Sequence, residues 1–249
     1  MVYKDYHVHT TFSDGKNTME EVLLAALKSE MTEIGFSDHS YTFFDRSYCV
    51  SGEDIPSYFK EAERLKSKYG DKIKILIGVE QDFYSKKSVK NYDYAIGSVH
   101  YFKIGGRFYP VDESKDSLIK TVDEVFGGDF YSACERYFGT VRQFAKRKGI
   151  GIIGHFDLIA KFNGDGSLFD EKNERYVAAY KAAAKDLVAA NKVFEINTGA
   201  YRKNLRADAY PEKEIREFIK SIGGKFILSS DSHKKEDLMF GFERFESEI

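Results

Sequence analysis

The stretch Ile73-Lys74-Ile75-Leu76-Ile77-Gly78-Val79 is a short and almost wholly apolar run that ends at Glu80. Its length and its β-branched residues are typical of a strand that is buried on both faces, as in a parallel sheet. Similar runs lie along the rest of the chain, at Tyr6–His9, Ile34–Ser37, Tyr94–Val99, Gly151–Gly154, Val193–Ile196 and Phe226–Leu228. We therefore expect seven buried strands.

Segments with helical character lie between these runs. Thr18–Ser29 carries apolar residues at helical spacing, and Tyr176–Asn191 is rich in alanine. Pro211 stands where a further helix is expected to begin, since the first helical turn tolerates a missing N–H. The alternation predicts a mostly parallel α/β fold, with residues 1–249 forming a single domain. The spacing leaves open whether the sheet is a closed barrel or an open layer.

Composition and charge exclude several classes of protein. The 249 residues include 38 Lys plus Arg and 40 Asp plus Glu, which gives a net charge of −2. Proteins that bind nucleic acid or anionic membranes usually carry a basic excess, so neither partner is expected. Cys49 and Cys134 cannot form a disulfide framework, and no apolar run has the length of a membrane span. Because Met1–His7 does not resemble a signal peptide, we expect a cytoplasmic protein.

Histidines and carboxylates follow the predicted strands. The carboxyl ends of parallel strands meet on one face, where α/β folds bind their ligands, so these side chains should converge. His7 and His9 are two positions apart on a strand and therefore point to the same side. Imidazole and carboxylate ligands together suit zinc, iron or manganese, so the pattern predicts a site for two or three metal ions. The residues concerned are His7, His9, Asp14, His39, Glu80, His100, His155, Asp231 and His233.

The segments around these residues resemble the motifs of the PHP (polymerase and histidinol phosphatase) superfamily, in the family's order and across nearly the whole chain. The resemblance implies a distorted (β/α)7 TIM-like barrel, which agrees with the seven runs. The motifs are Asp5–Gly15, Phe36–His39, Gly78–Glu80, Ser98–His100, Gly154–Asp157 and Ser229–His233.

Within the superfamily, the chain looks most like the histidinol-phosphatases of histidine biosynthesis. The features that point there are Asp157–Phe162 and Glu195–Lys203. The resemblance implies a phosphoric monoester hydrolase that converts L-histidinol phosphate to L-histidinol and phosphate. The reaction would use a metal-activated hydroxide at a site of three divalent ions, with zinc expected first and iron or manganese as alternatives.

Carried over residue by residue, the resemblance implies three metal positions. Glu80 would bridge the first and second of them. The first would be held by His7, His9, Glu80 and Asp231, the second by Glu80, His100 and His155, and the third by Asp14, His39 and His233.

Further residues near the motifs are candidates for substrate binding and catalysis. Arg202 and Lys161 are expected to neutralise the phosphate, with Arg202 as the first choice. Asp231, His233 or a metal-bound water would protonate the leaving group. The rings of Tyr41 and Phe102, and also of Phe44 and Tyr101, are candidates for stacking on the imidazole of histidinol.

Asp5, Asp38 and Asp157 each flank a predicted ligand histidine. A carboxylate in such a position often orients the imidazole. A hydrogen bond at the end of the strand is an equally good interpretation for all three residues.

Other functions are compatible with parts of this pattern. A related PHP phosphoesterase acting on nucleotides, sugar phosphates or phosphotyrosine would have the same metal site and a different substrate pocket. A metal-dependent amidohydrolase also begins with a His-x-His motif, but no strand-like run here ends in the bridging lysine typical of that class. A non-catalytic PHP binding module ranks lower, because all the expected ligand positions carry residues that can bind metal.

Overall fold

The structure is a computed structural model that describes residues 3–249. A sheet of seven parallel strands forms its centre. In spatial order the strands are β1 (Lys4–Asp5), β2 (Glu33–Phe36), β3 (Lys74–Asp82), β4 (Tyr94–Ser98), β7 (Ile152–Ile153), β8 (Val193–Asn197) and β9 (Lys225–Ser229). Every predicted strand run contributes to this sheet, either as a strand or as the residues that directly follow one.

The sheet closes on itself just beyond the ends of β1 and β9. Val8 forms a parallel bridge with Ser232. The His9 amide donates to the Ser232 carbonyl at 2.8 Å, and the Ser232 amide donates to the His7 carbonyl at 3.1 Å. Closure therefore depends on a short segment that also carries the first histidine motif. The distorted (β/α)7 barrel is confirmed, and the open sheet is excluded.

Helices cover the outside of the barrel. Thr18 and Glu21 form a capping box at the start of α1, which satisfies two backbone N–H groups that the helix cannot bond internally. α7 begins at Lys213, so Pro211 precedes the helix and its capping residue Glu212 instead of starting the first turn. The helices are α1 (Met19–Lys28), α2 (Ile55–Tyr69), α3 (Lys115–Phe126), α4 (Phe130–Val141), α5 (Glu174–Ala189), α6 (Gly199–Arg202) and α7 (Lys213–Ser221).

Two insertions rise above the carboxyl ends of the strands. One is the loop at residues 37–54, between β2 and α2. The other is an antiparallel hairpin of β5 (Tyr101–Ile104) and β6 (Arg107–Pro110), which directly follows β4. Both insertions contribute to the cavity described below.

Tyr94 packs across the inside of the barrel below the strand ends. Its hydroxyl donates to the Tyr6 carbonyl at 2.6 Å, and its ring lies against Gly78 and Gly35. A side chain at either glycine would overlap the Tyr94 ring, so these positions on β2 and β3 accommodate only glycine in the present packing. Tyr94 thereby supports the backbone that leads into the first histidine motif.

Among residues 3–249, no helix is long and apolar enough to cross a membrane.

Candidate metal centre

The predicted metal ligands converge at the carboxyl ends of the strands. Each lies at the end of a barrel strand or in the segment that follows it. Glu80 occupies the centre of the group, because its two carboxylate oxygens face different sets of histidines. The convergence expected from the sequence is therefore present in the structure.

The first predicted ligand group is compact. His7 Nε2 lies 3.3 Å from Glu80 Oε2 and 3.7 Å from Asp231 Oδ1. His9 Nε2 lies 3.7 Å and 3.3 Å from the same two oxygens. Two ring nitrogens and two carboxylate oxygens thus surround a common point. Asp231 reaches it from a backbone with φ of +52°, a conformation that costs energy for a residue with a side chain.

The second group uses the other oxygen of Glu80. Glu80 Oε1 lies 2.9 Å from His155 Nε2 and 3.2 Å from His100 Nε2. The two histidine nitrogens are themselves 3.3 Å apart. Because one Glu80 oxygen faces each group, the carboxylate has the position that a bridging ligand requires.

The third group contains the predicted residues and also His9, whose Nδ1 lies 3.8 Å from Asp14 Oδ1. His233 Nε2 lies 3.2 Å from Asp14 Oδ2, and His39 Nε2 lies 3.8 Å from Asp14 Oδ1. His39 also places Nδ1 2.7 Å from Glu80 Oε2. His39 therefore lies beside the first ligand group as well as the third, whereas the sequence analysis assigned it to the third group only.

The chemistry of these donor atoms fits divalent cations. Several buried atoms have no hydrogen-bond partner among the described residues, although a buried polar group without a partner costs about 1–3 kcal/mol. A metal ion would compensate these atoms, and a cluster of imidazoles with carboxylates suits zinc, iron or manganese. The uncompensated atoms that face the candidate metal positions are His7 Nε2, His9 Nδ1 and His9 Nε2.

Electrostatics keeps Glu80 and His9 in the forms that bind metals, whereas neighbouring carboxylates outweigh burial and raise the pKa values of His7, His39 and His100, so an ion bound there would displace protons from these rings. Burial disfavours the charge on Glu80, but the imidazoles of His39 and His7 outweigh burial and hold the Glu80 pKa well below its ordinary value. Burial and the rings of His233 and His39 lower the pKa of His9 to about 3. Glu80 is thus an anion and His9 a neutral imidazole, which are the forms that ligate cations.

Glu195 is an important residue that the sequence argument did not single out. It is fully buried in β8, and its Oε1 lies 2.7 Å from His7 Nδ1. Its Oε2 accepts a hydrogen bond from the His155 amide at 3.1 Å and from Asn197 Nδ2 at 3.2 Å. Asn197 Nδ2 also lies 3.3 Å from Asp231 Oδ2. The signal was present in the sequence, because Glu195 is a charged residue inside an otherwise apolar strand.

The three aspartates that flank ligand histidines organise the backbone. Asp38 accepts hydrogen bonds from Thr10 and Ser13 and thereby fixes the loop after His9. Asp157 accepts from the Glu212 amide at 3.0 Å. Asp5 accepts from main-chain amides, among them that of His7. None of these bonds reaches an imidazole nitrogen, so the hydrogen bond at the strand end is the correct interpretation.

A cavity of about 560 Å³ opens above the histidines and carboxylates. Lys161 lines it, as predicted for a phosphate ligand, and its Nζ is held by the Asp112 carbonyl at 2.8 Å and the Asp112 carboxylate at 2.9 Å. Lys161 is therefore a positioned cation beside the candidate metal centre.

Arg202 does not have the position predicted for it. Its guanidinium pairs with Asp237, and Arg202 is not among the residues that line the cavity. The next residue, Lys203, lines the cavity instead. Successive residues of a helix point about 100° apart, so the turn formed by α6 directs these two cations to different surroundings.

Tyr41 and Phe102 were predicted to contact substrate, and the structure contradicts both predictions. Phe102 is 1% exposed and packs on Phe126 in the core, because neighbouring residues of β5 point to opposite sides and Tyr101 faces the cavity. Tyr41 lies outside the cavity lining, with the Lys87 ammonium above its ring. The candidates Tyr101 and Phe44 do line the cavity.

Comparisons with known proteins agree with this geometry. The PHP domain family model matches residues 5–199. A probable histidinol-phosphatase of Schizosaccharomyces pombe is 30% identical over 234 residues, which cover 86% of this chain and 74% of the relative. The histidinol-phosphatase of Lactococcus lactis is 29% identical over 246 residues, covering 92% and 83%.

A solved structure with a similar fold is that of the Lactococcus lactis histidinol phosphate phosphatase in complex with zinc, L-histidinol and phosphate. The TM-score is 0.74 at 22% sequence identity, and the match covers 99% of this chain and 92% of the other.

Proposed function

Because this chain belongs to the PHP domain family, we propose that it is a metal-dependent phosphoric monoester hydrolase that converts L-histidinol phosphate to L-histidinol and phosphate. The observation that carries the proposal is the position of Glu80 between two groups of histidines, below a cavity that contains a fixed lysine. The names of the relatives support L-histidinol phosphate as the substrate. We take residues 1–249 as one phosphoesterase domain.

The residues that would hold divalent ions are the three groups joined by Glu80 and Asp14. Ions bound there would supply positive charge that activates water and neutralises phosphoryl oxygens. His7 is fixed for ligation through Nε2, because the Glu195 carboxylate engages its Nδ1. His233 is likewise fixed for ligation through Nε2. Its Nδ1 lies 3.0 Å from the Asp231 carbonyl, which can only accept a hydrogen bond and therefore holds the proton on Nδ1.

Lys161 would bind a phosphoryl oxygen directly. An ammonium group has three donors, and Asp112 occupies two of them through its carbonyl and its carboxylate. The remaining donor is available to a ligand in the cavity. Asp112 thus orients the ammonium, so little side-chain entropy remains to be lost when phosphate binds.

Proton transfer to the leaving alkoxide is proposed for one of the three candidates named from the sequence, which are Asp231, His233 and a metal-bound water. Asp231 and His233 both line the cavity. In its neutral form, His233 carries its proton on Nδ1, where the Asp231 carbonyl accepts it. Nε2 then has a lone pair and no proton to donate, which favours ligation for His233. Asp231 is an anion, because the imidazole of His7 outweighs burial and holds its pKa well below the ordinary value, so Asp231 could protonate the alkoxide only after taking up a proton from the attacking water.

The cell compartment and the partners follow from the proposed reaction. We place the enzyme in the cytoplasm, where amino-acid biosynthesis takes place, with a small phosphate monoester as its partner. A net charge of −2 supports the absence of a nucleic-acid partner.

Phosphate release from a panel of esters tests the proposal. The metal-loaded protein is assayed with L-histidinol phosphate and with nucleotide, sugar and tyrosine phosphates, each with and without chelator. We expect the highest kcat/KM for L-histidinol phosphate and loss of release with chelator. Equal or faster hydrolysis of a nucleotide or sugar phosphate would indicate that the protein has another activity of the family.

A further inference from the structure

One wall of the cavity is built from aromatic rings of the two insertions. We call Phe44, Tyr48, Tyr101 and Phe108 the aromatic wall; all four line the cavity. Phe44 and Phe108 stack face to face with ring centroids 3.8 Å apart, which joins the loop at residues 37–54 to the hairpin. The wall begins at the metal centre, because the Tyr48 ring packs edge-on against His39 at 4.8 Å.

Two carboxylates of the cavity lining have no cation beside them. Among the described residues, no lysine or arginine nitrogen lies within 4 Å of the carboxylate of Asp45 or Glu113, whereas Asp112 is paired with Lys161. Lys203 is the remaining cation of the lining. Apart from the candidate metal ligands, the cavity therefore combines aromatic faces with excess negative charge.

Asp45 is held rigidly at the aromatic wall. Its Oδ2 accepts a hydrogen bond from the Tyr101 hydroxyl at 2.7 Å, and its Oδ1 accepts from the Ser47 amide at 3.0 Å and hydroxyl at 2.6 Å. These donors are neutral, so they orient the carboxylate without cancelling its charge. Within residues 3–249, Glu113 accepts a single hydrogen bond, from the Ser117 hydroxyl at 2.8 Å.

We propose that Asp45 and Glu113, together with the aromatic wall, select phosphate esters whose leaving group carries a positive charge. The inference rests on the proposed phosphatase activity and adds a basis for its specificity. A cation beside an oriented carboxylate and an aromatic face gains from both contacts. A neutral leaving group gains neither, and an anionic one is repelled by the two unpaired carboxylates.

The test compares two esters of primary alcohols, L-histidinol phosphate and propyl phosphate, as the ratio of their kcat/KM values. Asp45→Asn and Glu113→Gln remove the charge and retain the shape and the hydrogen-bonding oxygen. Glu53→Gln is the matched control, since Glu53 is an exposed carboxylate of the same loop and does not line the cavity. Phosphoethanolamine serves as a second cationic substrate, and Tm checks that each variant folds.

We expect the ratio of kcat/KM to fall roughly tenfold in each of the two variants and to stay within twofold in the control. L-Histidinol should also inhibit Asp45→Asn roughly tenfold more weakly than wild type. An unchanged ratio in both variants, or an equal loss with both esters, would overturn the inference. So would similar hydrolysis of L-histidinol phosphate and propyl phosphate by wild type, although the proposed function would then stand.

Failure of the proposed function gives a different result. Wild-type protein would then hydrolyse another ester of the panel at least as fast as L-histidinol phosphate, and the inference is tested on the preference for phosphoethanolamine over propyl phosphate. A loss of that preference in Asp45→Asn would support selection of a cationic leaving group, and its retention in both variants would overturn it.

Discussion

His7 Nδ1 and Glu195 Oε1 lie 2.7 Å apart and are fully buried, although 188 positions separate the two residues in the chain. The contact joins the segment after β1 to β8 across the barrel. It engages one ring nitrogen of His7 and directs the other towards Glu80 and Asp231. The same carboxylate accepts the amide hydrogen of His155, so it supports two of the predicted ligand groups.

Glu195→Gln should weaken metal binding. The change replaces one acceptor oxygen by an amide that cannot accept from all three of the present donors. Loss of a residue that orients ligands typically costs roughly ten- to a hundredfold in metal affinity. Competition of zinc with a chromophoric chelator measures this loss directly. Glu214→Gln, at an exposed position of α7, serves as the control, and equal zinc affinity in the two variants would show that Glu195 does not position the ligands.

Lys161→Met and Arg202→Met should fail in different ways. Lys161 lines the cavity, so its loss should raise KM for the phosphate ester roughly tenfold or more. Arg202 is largely buried in its pair with Asp237, so its loss leaves an unpaired carboxylate and should mainly lower Tm. Steady-state kinetics and thermal unfolding of both variants make the comparison. A larger KM effect in Arg202→Met than in Lys161→Met would restore Arg202 as the phosphate ligand.

The pH dependence of stability should depend on Glu212. This residue shares Arg206 with Glu171, and burial together with the Glu171 carboxylate raises the pKa of Glu212 from 4.5 to about 8. Between pH 4.5 and about 8, Glu212 is therefore protonated in the folded protein and ionised in the unfolded chain. The stabilisation from this group is complete below pH 4.5, and it is lost as the pH rises towards about 8.

Glu212→Gln mimics the protonated side chain and should remove this loss. Tm of the metal-saturated variant should exceed that of wild type by roughly 2–4 °C at the alkaline end of the range and by less at the acidic end. Thermal scans of both proteins at a series of pH values check this. A difference in Tm that is independent of pH would show that Glu212 does not titrate in this range.

Gly78→Ala should destabilise the barrel. An added methyl group at this position overlaps the Tyr94 ring, and the ring cannot move freely because its hydroxyl is bonded to the Tyr6 carbonyl. Overpacking of this kind costs about 1–3 kcal/mol in the free energy of unfolding, measured by denaturant titration. Gly139→Ala is the control: no described residue beyond the adjacent turns of α4 lies within 4 Å of the added methyl group at that position, so a gain of about 0.5–1 kcal/mol is expected. If Gly78→Ala lowered the free energy of unfolding by less than about 0.5 kcal/mol, the close packing of Tyr94 on Gly78 would be contradicted.

Local patterns in the sequence were sufficient to predict a mostly parallel α/β sheet and the convergence of the ligand residues, whereas closure into a barrel was implied only by the resemblance to the PHP superfamily. Each apolar run is long enough to identify a strand, and a polar residue at its end must lie at the common face of a parallel sheet. The fold then determines two further features, which are the closure of the sheet between Val8 and Ser232 and the position of Glu80 between two groups of histidines.

The substrate cavity was harder to predict because it depends on side-chain direction in irregular segments. Phe102 and Tyr101 were both candidates and the sequence did not separate them, since the hairpin had not been assigned and the alternation along β5 was unknown. Arg202 was predicted and Lys203 was not considered, because the phase of the short helix α6 is not visible in the sequence. Glu195 could have been found, as a charged residue within a buried strand.

Zinc titration of the metal-free protein, with phosphate release from L-histidinol phosphate as the readout, tests the metal centre most directly. We expect no release from the metal-free protein, activity that rises until more than one equivalent of zinc is bound, and no recovery at any zinc concentration in Glu80→Gln. Release at the full rate by the metal-free protein, or by Glu80→Gln, would contradict a catalytic metal centre at the ends of the barrel strands.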